Sequence, residues 1–185
     1  MNRLPIFETE RLIVREIRDE DYIDMYEYAS LSYIGPKAGW EPHSNYDHTR
    51  LIIKMFRNKY KFNQLGVFAI ILKSDNKMIG TVELHTYFPN FKAELGYTVN
   101  PRYWGQGIAG EAGSALVKWG FEDLNLRRIE CNTLTDNRQS QRVCEKLGFK
   151  YEGIKRKAYQ LYDGSINDLS CYAMIDDDYF NMIKK

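Results

Sequence analysis

The sequence has few cysteines, few histidines, almost no net charge and no long apolar run. Its longest uninterrupted apolar segment, residues 67–72, is far shorter than the roughly 20 residues that a membrane-spanning helix needs. The 26 lysines and arginines nearly balance the 25 aspartates and glutamates, which leaves a formal charge of +1. These shortages exclude a membrane span, and they argue against a partner such as nucleic acid that a dense basic surface would hold.

The scarce metal-binding and thiol residues are also scattered. The three cysteines are Cys131, Cys144 and Cys171, and the three histidines are His43, His48 and His85. No Cys-x-x-Cys pair occurs, and the histidine spacing matches no tetrahedral ligand set, so we expect reduced thiols and no metal site. The first ten residues carry charges and show no signal-peptide apolar segment. We therefore expect a cytoplasmic protein.

The sequence contains enough apolar residues to form one sizeable hydrophobic core. Hydrophobic residues make up 44% of the 185 residues, which predicts a single domain over residues 1–185. Alternating or continuous apolar patterns predict strands at 11–17, 67–72, 78–87, 94–99, 127–134, 150–157 and 168–174. Helical spacing predicts helices at 19–32, 47–61, 107–122 and 137–147, and a short one from 176. We predict an α/β (α+β) fold, with a mixed, mostly antiparallel, twisted sheet and helices on both faces.

The helix predicted at 137–147 carries its own boundary signals. Asp136, followed by Gln139, resembles a capping box at the helix start. Gly148 stands where a glycine commonly ends a helix in the left-handed conformation.

A glycine-rich turn, which we define as residues 104–110, lies between a predicted strand and a predicted helix. Its glycines are Gly105, Gly107 and Gly110. Glycines let backbone N–H groups approach a ligand closely, and a helix start directs unpaired N–H groups and the positive dipole end to the same point. The turn is therefore a candidate phosphate site. The alternative is a tight connection whose small residues only let the helix pack on the sheet.

The same residues match the dinucleotide fingerprint G-x-G-x-x-G, with Glu130 at the spacing where that fingerprint has an acid. The position is unfavourable, because Arg102 and its neighbours separate the glycines from the strand end. Too little chain follows for a doubly wound parallel sheet. A dinucleotide-binding oxidoreductase thus remains an alternative.

Residues 104–109 also resemble the acyl-CoA pyrophosphate loop Q/R-x-x-G-x-G/A of the GNAT superfamily of N-acetyltransferases. Trp104 stands where Gln or Arg is usual, as in the branch that acetylates ribosomal-protein N-termini (Rim-type). Residues 8–15 resemble that branch's first strand, and residues 136–140 and 145–149 resemble its fourth helix and the exit from it. Gly153 and Asp168 fit its last hairpin. The order and spacing of these segments carry the resemblance.

The resemblance implies acetyl-CoA as co-substrate and a sheet that splays between the family's fourth and fifth strands. The pantetheine arm would lie in the gap, and the pyrophosphate would lie on the N–H groups of the turn. The cofactor-binding residues implied are Tyr97, Thr98, Val99, Trp104, Gly105, Gln106, Gly107, Ile108, Ala109, Gly110, Asn137 and Ser140. Independently of the resemblance, Gly96 inside a strand pattern indicates a bulge or a close backbone approach, or else a plain packing glycine. Asn137 is also a good helix cap.

Acetyl transfer requires a neutral amine, a place for the oxyanion and a leaving thiolate. Glu94 is the preferred catalytic candidate, as base or amine-positioning group, with Glu83 and His85 as rivals. Ser140 is the candidate donor to the thiolate. Many family members carry a tyrosine that acts as general acid where this chain has Cys144. We interpret Cys144 as a small buried hydrophobic residue. A mechanism through an acetylated cysteine is the less favoured alternative.

The acceptor would be bound by the first two helices and the loop between them. That loop region holds the aromatic set Tyr33, Trp40, His43 and Tyr46. The predicted reaction is direct acetyl transfer to a primary amine, either a protein N-terminus (ribosomal ones included) or a small molecule. A non-catalytic acyl-CoA-binding module is the other alternative, and a homo-oligomer is left open.

Overall fold

Eight β-strands form one sheet in the computed structural model, which describes residues 4–62 and 64–184. The strands are β1 (Phe7–Glu8), β2 (Leu12–Glu16), β3 (Val67–Leu72), β4 (Lys77–Phe88), β5 (Lys92–Val99), β6 (Arg128–Leu134), β7 (Lys150–Gln160) and β8 (Ile166–Ile175). The helices are α1 (Tyr22–Ala29), α2 (Gly35–Ala38), α3 (Tyr46–Arg57), α4 (Ile108–Glu122), α5 (Arg138–Leu147) and α6 (Asp176–Ile183). The mixed fold predicted from the sequence is confirmed.

The strand order is β1-β2-β3-β4-β5-β6-β8-β7, and every neighbouring pair is antiparallel except β5 and β6. Those two parallel strands pair only through Lys92↔Arg128, Ala93↔Ile129 and Glu94↔Glu130. Beyond Glu94 the remaining residues of β5 have no β6 partner, so the two strands diverge. The sheet therefore opens along one edge of β5.

Helices cover both faces of the sheet because successive side chains of each strand point to opposite sides. On one face α4 and α5 pack on a core that includes Leu84, Leu95, Leu116 and Ile129. On the other face α1 and α3 pack on a second core, with Tyr28, Ile53, Ala69 and Ile71 among its members. The continuous apolar run of β3 is explained by this arrangement, since both of its faces are buried.

The structure corrects several predicted boundaries. Asp19–Asp21 form a 3-10 turn, so the first helix is only Tyr22–Ala29, and α3 ends at Arg57 rather than at residue 61. β1 and α2 are too short to show a sequence period and were not predicted. Asn137, not Asp136, caps α5, since its side chain accepts the Ser140 N–H at 3.1 Å. Gly148 ends that helix with φ of 90°, as predicted.

Residues 4–62 and 64–184 lack two features, a membrane-spanning helix and a cluster of metal ligands. No helix in this part of the chain is long and apolar enough to cross a membrane. The same residues contain no group of three or more His, Cys, Asp or Glu side chains that could hold a metal ion.

Candidate active site

A cleft of about 1420 Å³ lies where β5 and β6 diverge, and it continues past the start of α4. Glu94 and Ser140 both line it. Of the predicted cofactor-binding residues, the cleft brings together Tyr97, Thr98, Val99, Trp104, Gly105, Gly107, Ile108, Ala109, Gly110, Asn137 and Ser140. Gln106 is not among the lining residues; it is exposed, and its side-chain amide donates to the Arg102 carbonyl at 3.2 Å.

The glycine-rich turn presents unobstructed backbone to this cleft. Gly105 and Gly107 have φ of 75° and 80°, a left-handed conformation that glycine adopts without cost, and Gly107 is the N-cap of α4. A Cβ added at Gly105 or Gly110 would meet nothing within 4 Å, so no protein atom fills the space beside them. The first N–H groups of a 15-residue helix face that space, which suits a pyrophosphate.

The same geometry is unlike a dinucleotide fingerprint. The 3-10 turn Pro101–Tyr103 separates the glycines from β5, and the sheet has one parallel pair instead of a parallel βαβ array. The dinucleotide-binding alternative is therefore wrong for this fold.

A charged network braces the turn from the segment between β1 and β2. The Arg11 guanidinium donates to the Gln106 carbonyl at 2.9 Å and to the Glu111 carboxylate at 2.7 Å. Glu111 also accepts from the Arg11 backbone N–H and the Thr9 hydroxyl. Burial alone would raise the pKa of Glu111, but these hydrogen bonds and the Arg11 charge outweigh burial and lower it. The brace fixes the start of α4 against the N-terminal strands.

We expect Glu111→Ala to lower the free energy of unfolding at neutral pH by about 1–2 kcal/mol, because it leaves Thr9 and Arg11 without their acceptor. A carboxyl whose folded pKa is depressed stabilises above its unfolded pKa of about 4.3, and that contribution is lost as pH falls through the folded value. Urea unfolding should therefore show wild type and variant converging in acid. Glu20→Ala, at an exposed carboxylate, is the control. An equal difference at all pH values would contradict the charged network.

Trp104 connects the turn to the end of β5. Its indole N–H donates to the Val99 carbonyl at 2.7 Å. Through this hydrogen bond the aromatic side chain, which stands where Gln or Arg is usual, anchors the turn to the strand. The same bond takes up the Val99 carbonyl oxygen.

Tyr97 contributes a side chain that the sequence reasoning missed, since only its backbone was considered. Its hydroxyl lies 2.7 Å from the Ser140 Oγ, across the cleft from β5 to α5. Burial is the main reason that the pKa of Tyr97 is raised well above its usual value, so the phenol stays protonated at neutral pH. Tyr97 and Ser140 thus form a hydroxyl pair in the cleft wall.

Asn132 was also missed. It lines the cleft on β6, and its amide oxygen is buried without a hydrogen-bond partner within residues 4–62 and 64–184. A buried acceptor left unpaired costs about 1–3 kcal/mol, so a ligand N–H that reached it would be favoured.

The two cysteines nearest the site are poor nucleophiles. Cys144 is fully buried, is not among the cleft-lining residues, and lies 3.2 Å, Sγ to Sγ, from Cys131. The hydrogen bond with Cys144, followed by burial, raises the pKa of the Cys131 thiol well above its usual value. Since thiolates and not thiols are nucleophilic, the reading of Cys144 as a small buried hydrophobe fits the structure better than an acyl-cysteine.

On the face covered by α1 and α3, which we call the acceptor face, β4 and β5 bring polar residues together. Their register pairs Glu83 with Gly96 and His85 with Glu94, and directly opposed side chains share a face. The Glu83 carboxylate is bonded to the Lys59 ammonium. Glu94 makes no ion pair within the described residues, so its carboxylate remains available in the cleft.

The predicted aromatic set is only partly at the cleft. Tyr33 and Trp40 line it, but His43 is buried against Thr49, and Tyr46 packs on Tyr22 and Tyr26. Burial, helped by the nearby His48, lowers the pKa of His43 to about 4. The far wall is instead formed by Tyr159 and Lys155 of β7, which no local pattern marked. An added Cβ at Gly39 would collide with the Tyr159 hydroxyl, so the α2 segment and β7 meet over the cleft.

Comparison with known proteins identifies the class. The acetyltransferase (GNAT) domain family matches residues 11–150. The chain therefore belongs to this family, and it is an acetyl-CoA-dependent N-acetyltransferase.

Individual relatives are also named as acetyltransferases. An uncharacterized N-acetyltransferase, YoaA, of Bacillus subtilis is 31% identical over 172 residues, covering 92% of this chain and 97% of that protein. The ribosomal protein uS5-alanine N-acetyltransferase of Escherichia coli is 26% identical over 92% of this chain and 91% of its own length. The crystal structure of a GNAT-family acetyltransferase from Bacillus anthracis has a TM-score of 0.83 and 28% identity, covering 94% of this chain and 99% of that one.

Proposed function

We propose that this acetyltransferase transfers acetyl directly from acetyl-CoA to a protein N-terminal α-amine, within a ternary complex. The observation that carries the proposal is the divergence of β5 and β6, which leaves a gap between the glycine-rich turn on one side of the sheet and Glu94 on the other. A cofactor entering from α4 and an amine entering from the acceptor face would meet in that gap.

The residues present fit acetyl-CoA. The N–H groups of residues 105–110 would hold the pyrophosphate. The pantetheine amides would pair with the edge of β5 at Tyr97 and Thr98, which has no β6 partner, next to Val99, whose carbonyl is taken by Trp104. The unpartnered Asn132 oxygen is a further acceptor for an amide N–H. Asn137 caps α5 with its side-chain oxygen, which leaves its amide nitrogen for the ligand. Acetyl-CoA supplies an activated acetyl thioester.

Two groups of this chain would act on the protons and charges of the reaction. Glu94, without an ion-pair partner in the described residues, attracts and orients the acceptor ammonium at the mouth of the gap. The Tyr97 and Ser140 hydroxyls lie together on the opposite side of β5 and would donate a hydrogen bond to the departing thiolate. A thiol with a pKa near 8.5 leaves with little help, so one such donor is sufficient.

An α-amine is the acceptor favoured by chemistry and by relatives. Its pKa of about 8 leaves a useful neutral fraction at pH 7, whereas a lysine near 10.4 is almost entirely charged. One relative is named a ribosomal protein uS5-alanine N-acetyltransferase, and the only amine of alanine is its α-amine. A protein N-terminus is therefore the class of acceptor proposed here.

The test is the release of free coenzyme A thiol from acetyl-CoA across a panel of N-terminal peptides, lysine side-chain analogues and small amines. Peptides with free α-amines should be the best acceptors, and the same peptides with blocked N-termini should be inactive. Acetyl-CoA should also raise the melting temperature of the protein, and NAD should not. Binding of acetyl-CoA without thiol release for any amine would indicate a non-catalytic acyl-CoA-binding module instead.

A further inference from the structure

We infer that His85 is a further catalytic residue of this site: its Nε2 accepts the proton that the acceptor ammonium loses before attack. The inference rests on the proposed function and deepens it, because it separates binding of the amine, by Glu94, from its deprotonation. Three independent observations support it: the packing of the His85 ring against Gly96, the contact between the ring and Thr86, and the charged groups around the imidazole.

The His85 ring lies across the neighbouring strand. A Cβ built on Gly96 would be 3.0 Å from the ring Cδ2 and 3.1 Å from Nε2, closer than almost any real Cβ contact. The ring edge that bears Nε2 therefore rests directly on the Gly96 backbone, at the point where β5 has just left β6. His85 and Gly96 both line the cleft. Any side chain at residue 96 would displace the imidazole from this position.

Thr86 holds the other ring nitrogen. Its Oγ1 lies 2.9 Å from His85 Nδ1, within a register shift of the β4–β5 pair. Thr86 has φ of 49°, a left-handed conformation that is strained for a β-branched residue. A strained residue whose hydroxyl orients a neighbouring cleft side chain is a pattern found at functional sites. We assign Thr86 as a positioning residue.

The charges around His85 leave it the best placed proton acceptor. On its own strand, Glu83 is bonded to Lys59 and is therefore occupied. Directly opposite on β5 is Glu94, whose carboxylate would hold the ammonium beside the ring. Lys155 of β7 and Lys37 of α2 line the same cleft as hydrogen-bond donors, and burial raises the pKa of the Tyr159 phenol of β7.

The proton balance is simple. In the tautomer whose Nδ1–H donates to the Thr86 Oγ1, the lone pair is on Nε2, and His85 lines the cleft. One N–H bond of the acceptor ammonium breaks, its proton forms a bond to Nε2, and the electron pair stays on the amine nitrogen, which then attacks the thioester carbon. The imidazolium returns its proton to solvent after the acetylated product has left.

The test compares two peptides that differ only in the charge of their α-amine. One begins with alanine; the other begins with trifluoroalanine, whose amine is already neutral at the assay pH. At pH 7 an α-amine with a pKa of about 8 is about one-tenth neutral, so the loss of a group that only removes its proton costs at most about 10-fold. We expect His85→Gln to lower kcat/KM about 10-fold at pH 7 for the alanine peptide and less than about twofold for the trifluoroalanine peptide. Kd for acetyl-CoA and the melting temperature should be unchanged.

Thr86 variants provide the second measurement. Thr86→Val removes the hydroxyl and should reproduce the selective loss in part, while Thr86→Ser should recover most of it. His48→Gln, at a histidine outside the cleft, is the matched control. Equal losses of His85→Gln for both peptides, or no loss for either, would overturn the inference. If the wild type acetylated neither peptide, the proposed function itself would fail, which is a distinct result.

Discussion

Replacing Gly107 by glutamate should abolish acetyl-CoA binding, raising Kd at least about 100-fold, or about 2.7 kcal/mol, while leaving the protein folded. Gly107 is the N-cap of α4, and the N–H groups that follow it face the space assigned to the pyrophosphate. A carboxylate there would occupy that space and repel the phosphates. The fold should survive, because an acid at a helix N-terminus is itself favoured by the helix dipole, which offsets part of the backbone strain.

The control for Gly107→Glu is Gly107→Asn, because asparagine tolerates the left-handed conformation without adding charge. It should weaken binding much less than glutamate does. Isothermal titration calorimetry with acetyl-CoA measures both affinities, and thermal unfolding without ligand measures both stabilities. Wild-type affinity in the glutamate variant would contradict the pyrophosphate assignment. An unfolded glutamate variant would shift the test to Gly110→Glu, whose Cβ meets nothing within 4 Å.

Glu94→Gln should lower kcat/KM for N-terminal peptides by about 10–100-fold, mainly through a higher KM, with Kd for acetyl-CoA unchanged. The substitution keeps the shape of the side chain and removes the charge that attracts the ammonium, an interaction of about 1.5–3 kcal/mol in a partly enclosed cleft. Glu41→Gln, at an exposed residue of the loop before α3, is the matched control. Steady-state kinetics at several salt concentrations should show that wild type loses more rate with salt than the variant does.

A wild-type KM in Glu94→Gln together with a reduced affinity for acetyl-CoA would contradict this role. Glu94 would then act on the cofactor side of the sheet, and the acceptor face would need a different anionic group. Glu83 would be the next residue to test, in a variant that lacks its salt bridge with Lys59.

The parts of the site that local chemistry determines could be predicted from the sequence. Gly105 and Gly107 stand between a strand and a helix, and the structure gives both the left-handed conformation that favours glycine. Gly96 inside a strand pattern indicated a close approach, and the His85 ring lies on it. In each case one glycine is sufficient for the prediction, because its backbone conformation or its lack of a side chain is a local property.

The remaining parts depend on register and on contacts between distant segments. Tyr97 meets Ser140 only because α5 packs over the open edge of β5, and Arg11 contacts Glu111 across a sequence separation of 100 residues. Tyr159 reaches the α2 segment from an outer strand with an irregular register. No period or short motif encodes such pairings. For the same reason the predicted acceptor set included His43 and Tyr46, which the fold turns away from the cleft.

The most direct test of the central claim follows the acetyl group itself by intact-mass spectrometry. The protein is mixed with one equivalent of acetyl-CoA, with and without an N-terminal peptide, and sampled during a single turnover. Direct transfer predicts one acetyl group on the peptide α-amine, an equal amount of free coenzyme A, and no acetylated protein at any time. An acetylated form of the protein that appears without peptide and disappears when peptide is added would contradict it, and Cys131 would be the first residue to examine.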